Sequence, residues 1–232
     1  RYEGWYYEGA GIYRPVWLIK SGPVHVAPWG TYVTSELNDD FSQATVSAEI
    51  TVQNATEFPV ENVSLSMSIL APDGSVVASG QTALDGLQAC GSDVYTETFL
   101  FSSPQLWAPE NPVLYTLRCE ILAKDGRVFD RYDTPFGVRK IAWTNEGFFL
   151  NGKRVQLDGM CTHQDHAGIG VAVPVAVHKW RLEQILKMGS NALRWAHNPF
   201  DPAVLDLCDR MGILVYAEQR KTLSAVQLGS IH

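Results

Sequence analysis

The chain lacks several features that would place it in a specialised class of protein. It has no apolar run near the roughly 20 residues of a membrane-spanning helix, so no membrane role is expected. It has no cluster of Lys and Arg and a net charge of −7, so it is not expected to bind nucleic acid, which requires clustered basic residues. Its four cysteines share no CxxC spacing and no HExxH motif occurs, so no disulfide framework, metal site or cofactor is predicted.

The composition is that of an ordinary soluble globular protein. Apolar residues make up 46% of the 232 residues and charged residues 19%. This length allows about two domains of ~100–200 residues each. The chain opens at Arg1 rather than Met and shows no signal peptide. We therefore expect that its native N-terminus has been lost, which leaves a cytoplasmic or a periplasmic location open.

Short strands separated by turn signals dominate residues 22–138. Apolar alternation or β-branched enrichment predicts strands at 23–34, 45–53, 63–70, 75–81, 94–101, 113–123 and 128–134. Asp73-Gly74 and Asp125-Gly126 lie between such segments, where glycine tolerates the positive φ of a hairpin turn. This number of short strands at this spacing predicts an immunoglobulin-like β-sandwich.

Residues 139–232 change to an alternation of strands and helices. After a hairpin turn at Asn151-Gly152, the predicted elements are strands at 154–160, 191–195 and 213–217 and helices at 175–189 and 202–211. The first helix carries an apolar stripe that is expected to pack in a core, formed by Trp180, Leu182, Ile185 and Met188. The alternation itself is typical of a parallel sheet covered by helices.

Polar side chains follow each of these three strands. They are His163, Asp165 and His166 after the first, Arg194, His197 and Asn198 at the second, and Glu218 after the third. Because the carboxyl ends of parallel strands lie on one rim, where small ligands bind, these residues are expected to converge. A guanidinium there can order carboxylates with its fixed fork of donors, and an imidazole can donate to or accept from a hydroxyl.

The same segments resemble a known family. Asp158–His166, Asn191–Pro199 and Cys208–Gly212, in this order, resemble the start of the catalytic barrel of glycoside hydrolase family two, which contains β-galactosidases, β-glucuronidases and β-mannosidases. Gly9–Ile19 is similar to the end of that family's sugar-binding jelly-roll domain. The resemblance implies three parts: a jelly-roll remnant at 1–21, the sandwich at 22–138 and the N-terminal part of a TIM barrel at 139–232.

The resemblance also implies an activity and its residues. Family members cleave glycosidic bonds with retention, using two glutamates on the fourth and seventh barrel strands, so no catalytic residue is assigned here and the chain alone is expected to be inactive. The residues expected to bind a β-linked oligosaccharide or glycoside are His163, Arg194, His197 and Asn198, with Asp165, His166 and Glu218 as secondary candidates. β-Galactosidase is the favoured activity, with β-glucuronidase and β-mannosidase as alternatives.

Other interpretations are kept open at this point. Arg194 is alternatively part of a structural ion pair, His197 a capping or core residue, and Asn198 a helix cap. The sandwich is alternatively a carbohydrate-binding or spacer module, or a protein-interaction domain, although such a module would not need the strand-end cluster. The unpaired edge of the last strand predicts self-association as a homo-oligomer, or disorder of the last dozen residues.

Overall fold

The computed structural model of the chain describes residues 11–196 and 199–218. These residues divide into two units. Residues 18–155 form one unit, and residues 11–17 belong with the described residues from 156 onward in the other. Neither of the described helices is long and apolar enough to cross a membrane.

The unit formed by residues 18–155 contains the predicted β-sandwich. Its seven strands are β1 (Val24–Leu37), β2 (Gln43–Asn54), β3 (Val63–Leu70), β4 (Val76–Ala83), β5 (Ser92–Ser102), β6 (Tyr115–Ala123) and β7 (Val128–Phe136). One antiparallel sheet has the order β1-β2-β5 and the other the order β4-β3-β6-β7. The predicted strands and the immunoglobulin-like sandwich are therefore confirmed, with strand ends shifted by a few residues.

Alternation along these strands places one face of each sheet in a common core. Every second residue of β2 from Ala44 to Val52 is buried. From the other sheet, Leu65, Leu117 and Ile121 are fully buried in the same cluster. Because each Å² of apolar surface removed from water contributes ~25 cal/mol, this shared face is the main source of the sandwich's stability.

Asn54 is a polar residue buried inside the sandwich unit. It is 2% exposed at the end of β2. Its Nδ2 donates to the carbonyl oxygens of Phe58 at 2.8 Å and Gln88 at 2.9 Å, while its Oδ1 accepts from the backbone N–H of Thr56 at 3.0 Å. A buried amide is tolerated when its donors and acceptors are satisfied, and here it joins two loops of the sandwich.

The predicted turn at Asn151-Gly152 is confirmed. It connects β9 (Gly147–Leu150) to β10 (Lys153–Arg154), and β8 (Ile141–Thr144) pairs on the other side of β9. Both turn residues have positive φ, 51° for Asn151 and 75° for Gly152, as a two-residue type I′ turn requires. Asn151 is also bonded by its side chain, donating to the Trp107 carbonyl at 3.0 Å and accepting from the Lys140 N–H at 2.9 Å.

The Gly152→Ala substitution is expected to destabilise the sandwich unit more than Gly74→Ala. Both glycines have positive φ, 75° and 84°, so each alanine incurs ~1–2 kcal/mol of backbone strain. A Cβ at position 152 would also lie 3.1 Å from Cζ of Phe41, whereas one at position 74 would have nothing within 4 Å. Urea unfolding should show the difference, about 1 kcal/mol for a crowded site. Equal losses would show that Phe41 moves aside freely.

The described residues of the other unit form three strands and two helices in alternation. They are β11 (Gly159–Thr162), α1 (Val175–Lys187), β12 (Ala192–Trp195), α2 (Pro202–Met211) and β13 (Leu214–Ala217). The strands pair in the order β11-β12-β13 and both pairings are parallel. The predicted alternation and the parallel sheet are therefore confirmed.

The predicted position of the first parallel strand, 154–160, is wrong. Lys153–Arg154 pair in the hairpin with β9, and the parallel strand begins only at Gly159. The intervening backbone bonds to Asn191: its Nδ2 donates to the Gln156 carbonyl at 2.8 Å, and its Oδ1 accepts from the Asp158 N–H at 3.0 Å. The backbone is extended both in the hairpin strand and in the connection that follows it. The apolar alternation therefore could not show where the parallel strand begins.

The two helices and the strands between them share a second apolar cluster. It contains Leu182 and Ile185 of α1, Leu193 and Trp195 of β12, and Val204 and Cys208 of α2. Asp201 caps α2 by accepting from the Ala203 N–H at 3.0 Å, and Gly212 ends the helix with φ 74°. These boundaries match the sequence signals for a helix start before Pro202 and a stop at glycine.

The predicted apolar stripe of α1 is partly wrong. Leu182 and Ile185 are buried, but Trp180 is 53% and Met188 68% exposed. The buried face instead follows His178, Leu182 and Ile185, a spacing of four and then three residues that keeps side chains on one side of a helix. The stripe in the sequence therefore combined two different helix faces.

The four cysteines are free thiols in the structure. Cys90 and Cys161 are exposed, while Cys119 and Cys208 are buried. Burial raises the pKa of both buried thiols to about 12, which keeps them protonated and unreactive.

Candidate functional site

Arg194 lies in the middle of the three-stranded sheet, on the face that the helices do not cover. Its register partners are Cys161 on β11 and Tyr216 on β13. Leu193 and Trp195, on either side of it in sequence, are buried in the cluster with the helices. Because side chains alternate across a strand, Arg194 projects from the opposite face, where Cys161 and Tyr216 are exposed.

An ion pair joins the second and third strand ends. Arg194 Nη2 lies 2.6 Å from Glu218 Oε2, and the two side chains are 37% and 23% exposed. Arg194 Nη1 also donates to Cys161 Sγ at 3.6 Å, so one guanidinium on β12 contacts a residue of β11 and the residue that follows β13. The hydrogen bond to Cys161, and then the charge of Glu218, raise the pKa of Arg194 above its usual value, so the cation is permanent. Arg194 and Glu218 therefore lie together at one edge of the sheet, and this ion pair is also the alternative given above for Arg194. Their part in binding substrate stays a prediction.

The polar residues after β11 divide between two environments. His163 is exposed directly after the strand, whereas Asp165 and His166 are half-buried and lie close to α1. The His166 ring meets the Trp180 ring edge-on with centroids 6.3 Å apart. His166 therefore packs against the helix, while His163 lies at the strand end next to β12. His197 and Asn198, both predicted to contact substrate, fall outside the described residues.

Arg181 is a residue of this region that sequence reasoning did not select. Its Nη1 donates to the His163 carbonyl at 3.2 Å, and its Nη2 donates to the Asp165 carbonyl and to His166 Nδ1, the latter at 3.0 Å. Partial burial lowers the pKa of Arg181, although it remains charged. The sequence did carry a signal for this role: a charged residue next to Leu182, on the side of α1 that packs against the rest of the unit. A guanidinium in that position needs hydrogen-bond acceptors nearby.

His178 and Trp195 are two further buried polar residues that the sequence did not single out. They are 4% and 2% exposed, and their ring centroids lie 5.5 Å apart. Among the described residues, neither His178 Nδ1 nor Trp195 Nε1 has a hydrogen-bond partner. Both side chains line a cavity of about 320 Å³, whose other walls include Tyr13, Arg14, Gln164 and Asp201. This cavity lies on the helix side of β12, away from Arg194.

The pKa of His178 predicts how stability depends on pH. Burial lowers this pKa below the ordinary 6.5; nearby Arg181 and His166 act in the same direction, while Asp201 opposes them. The unfolded chain therefore takes up a proton near pH 6.5 before the folded chain does, so stability falls as the pH drops below about 6.5, by at most ~1.4 kcal/mol per pH unit. Urea unfolding at several pH values should show a smaller slope for His178→Phe. A wild-type slope in that variant would assign the dependence to another group.

The strand-end cluster is suited to binding and orienting a ligand. Arg194 offers N–H donors and Glu218 offers acceptors, and the imidazole of His163, exposed after β11, can do either. Within residues 11–196 and 199–218, no three His, Cys, Asp or Glu side chains are grouped to hold a metal ion. The Arg194–Glu218 pair can donate to and accept from a polar ligand.

Comparison with known families and proteins accounts for both units. Residues 24–139 match the family model for glycosyl hydrolases family 2, and residues 141–230 match the model for the TIM barrel domain of the same family. Among curated proteins, the β-galactosidase BoGH2A of Bacteroides ovatus is 39% identical over 92% of this chain and 25% of its own length. A β-glucuronidase of Bacteroides fragilis is 33% identical over 90% of this chain and 30% of its own length.

Solved structures show the same architecture. A β-glycosidase from Bacteroides vulgatus superposes with a TM-score of 0.81 and 32% identity, covering 95% of this chain and 28% of that one. A β-glucuronidase from Bacteroides uniformis gives 0.79 and 28%, covering 85% and 24%. The chain thus spans about a quarter of the length of these relatives, and its three parallel strands correspond to the start of an unclosed TIM barrel. With half of its residues matching one family model and most of the rest matching the same family's barrel domain, the chain belongs to family 2 of the glycosyl hydrolases.

Proposed function

We propose that this chain forms the substrate-positioning part of a retaining β-glycosidase that acts on β-galactosides. The Arg194–Glu218 ion pair, 2.6 Å long at the carboxyl ends of adjacent parallel strands, carries this proposal. Active sites of TIM-barrel enzymes lie at that end of the barrel. Arg194 and His163 are proposed to bind the sugar together with His197 and Asn198, with Glu218 fixed by Arg194.

The catalytic carboxylates are proposed to lie outside the 232 residues. Retaining hydrolysis requires two carboxyl groups ~5–5.5 Å apart, one as nucleophile and one as acid/base. The two catalytic glutamates of the family lie on the fourth and seventh barrel strands, so neither Glu218, which is paired with Arg194, nor Asp165 is assigned a catalytic role. The chain alone is therefore proposed to be inactive, with residues 1–21 as a jelly-roll remnant, 22–138 as the sandwich and 139–232 as the start of the barrel.

Two relatives support different sugars. The 39% identity to a protein named β-galactosidase favours β-galactosides for this chain. The 33% identity to a protein named β-glucuronidase makes β-glucuronides the second candidate. A glucuronide carries a carboxylate that a β-galactoside lacks, so the two substrates separate the candidates directly.

The test is to express a longer chain, extended by the reading frame beyond residue 232, beside the 232-residue chain. Both are assayed with 4-nitrophenyl β-galactoside and 4-nitrophenyl β-glucuronide. We expect hydrolysis by the longer chain only, with the higher kcat/KM on the galactoside. A stable rate from the 232-residue chain, absent from a mock preparation, would refute its proposed inactivity. A folded longer chain that hydrolyses neither substrate would refute the proposed function.

A further inference from the structure

We propose that Arg14 and Arg181 are positioning residues, each of which holds one of the strand-end loops that carry the proposed sugar-binding residues. The inference rests on the proposed function, because it concerns how His163, His197 and Asn198 are placed. Both arginines belong to the same unit as these loops. Neither one is among the residues proposed to contact the sugar.

Arg181 holds the loop after β11 from the side of α1. It donates to two backbone carbonyls of that loop, those of His163 and Asp165, and to the ring nitrogen Nδ1 of His166. The acceptors span four consecutive residues beginning with His163 itself. A guanidinium offers five N–H donors in a fixed plane, so several contacts from one side chain define the path of the loop.

Arg14 holds the loop after β12 from the N-terminal segment. Its Nη2 donates to the Pro199 carbonyl at 2.7 Å and its Nη1 to the Phe200 carbonyl at 3.3 Å, across more than 180 residues of sequence. These two residues follow directly after His197 and Asn198, and α2 begins only at Pro202. In sequence, the carbonyls held by Arg14 therefore come between His197 and Asn198 and the first residue of α2.

Tyr13 extends the same segment to the other loop. Its hydroxyl donates to Gln164 Oε1 at 3.2 Å, and Gln164 directly follows His163. Tyr13 and Arg14 thus contact the loops after β11 and after β12 from adjacent positions. This arrangement fixes the two loops relative to each other as well as to the sheet. Small errors in such placement are costly, since a displacement of about 1 Å can lower an enzyme's rate ~100-fold.

The kinetic test uses the longer enzyme with Arg14→Met, Arg181→Met and the corresponding Lys variants. We expect the Met variants to raise KM and to lower kcat/KM by about 10- to 100-fold, because displaced loops bind the sugar poorly. A substitution that only lowers the folded fraction would reduce the apparent kcat and leave KM unchanged. The Lys variants keep the charge and one donor group, but not the planar fork, and are expected to recover part of the loss. Unchanged KM and kcat/KM in either Met variant would overturn the inference for that arginine.

Arg210 provides a matched control. It is an exposed arginine in the last turn of α2, in the same unit but outside both loops. Arg210→Met is expected to change kcat/KM by no more than about twofold, as for an ordinary surface substitution. A loss at Arg210 as large as at Arg14 or Arg181 would show a general effect of removing positive charge, and would overturn the positioning role.

A second test needs only the 232-residue chain. Since a guanidinium can only donate, its contact at 3.0 Å requires His166 Nδ1 to accept and places the ring proton on Nε2. Nitrogen-15 NMR of neutral His166 is expected to show this tautomer in wild type and Arg14→Met, and a mixture in Arg181→Met. An unchanged spectrum in Arg181→Met would overturn the contact. If the spectrum changes in Arg181→Met but the wild-type longer enzyme is inactive, the contact between Arg181 and its loop is supported. In that case only the proposed function is refuted.

Discussion

Replacing Trp195 by Ala is expected to lower the free energy of unfolding of the β11–β13 unit by about 3–5 kcal/mol, as for large-to-small changes in a packed core. Trp195 is 2% exposed, and its ring lies 5.1 Å from that of Phe200 and 5.5 Å from that of His178, centroid to centroid. Removing the indole would leave a cavity between β12 and the start of α2. Urea unfolding followed by far-UV circular dichroism measures the loss, because both described helices belong to this unit.

Trp195→Phe is the matched control for that cavity. The Nε1–H of Trp195 has no hydrogen-bond partner among the described residues, so phenylalanine removes a buried donor without breaking a bond. We expect a clearly smaller cost than for the Ala variant, because phenylalanine keeps an aromatic ring in the site and leaves a smaller cavity. A loss as large as that of the Ala variant would show that the indole N–H has a partner in solution, such as an ordered water.

The Arg194→Met substitution in the longer enzyme is expected to lower kcat/KM about 100-fold, the scale on which a misplaced active-site group affects rate. It removes the 2.6 Å contact that holds Glu218 and the contact to Cys161, so the strand-end cluster loses its common partner. Arg194→Lys keeps the charge but cannot reach both groups with a planar fork, and an intermediate loss is expected. Steady-state kinetics on 4-nitrophenyl β-galactoside provides the measurement.

An ion pair of the sandwich provides the control for Arg194. Arg131 Nη2 also lies 2.6 Å from its partner, Glu120 Oε1, across β6 and β7. Arg131→Met removes an equally short ion pair from the other unit, and exposed pairs of this kind contribute only about 0–1 kcal/mol. We expect its kcat/KM to stay near that of the wild type. Equal losses in the two Met variants would contradict a role for Arg194 in the substrate site.

Much of the fold could be predicted because its signals are local. Period-two alternation in Ala44–Val52, positive φ at Asn151-Gly152 and the end of α2 at Gly212 depend on neighbours within a few positions. The same local signals failed where two arrangements share one pattern. The extended backbone at 154–160 belongs first to a hairpin and then to a connection that is hydrogen-bonded to Asn191. The apolar residues of α1 lie on two faces of the helix, and only one of these faces is buried.

The candidate site was predictable in its location and only partly in its contacts. Parallel strand order brings Arg194 and Glu218 to one edge, and this follows from the alternation of strands and helices. Arg181 and His178 were missed because their roles depend on which side of α1 is covered. Periodicity defines an apolar stripe, but it does not say which loop a cation beside that stripe will contact.

Local patterns in the sequence were sufficient to predict the strands of the sandwich, the order of the β/α units and the end of the sheet where polar residues collect. The folded chain was needed to show that Arg194 pairs with Glu218, that Arg14 reaches the carbonyls of Pro199 and Phe200, and that His178 is buried beside Trp195. The two kinds of feature differ in how far apart in sequence the residues that determine them lie. Backbone conformation is set by nearby residues, whereas a partner far away in sequence is selected by strand register and by the surface that each helix covers.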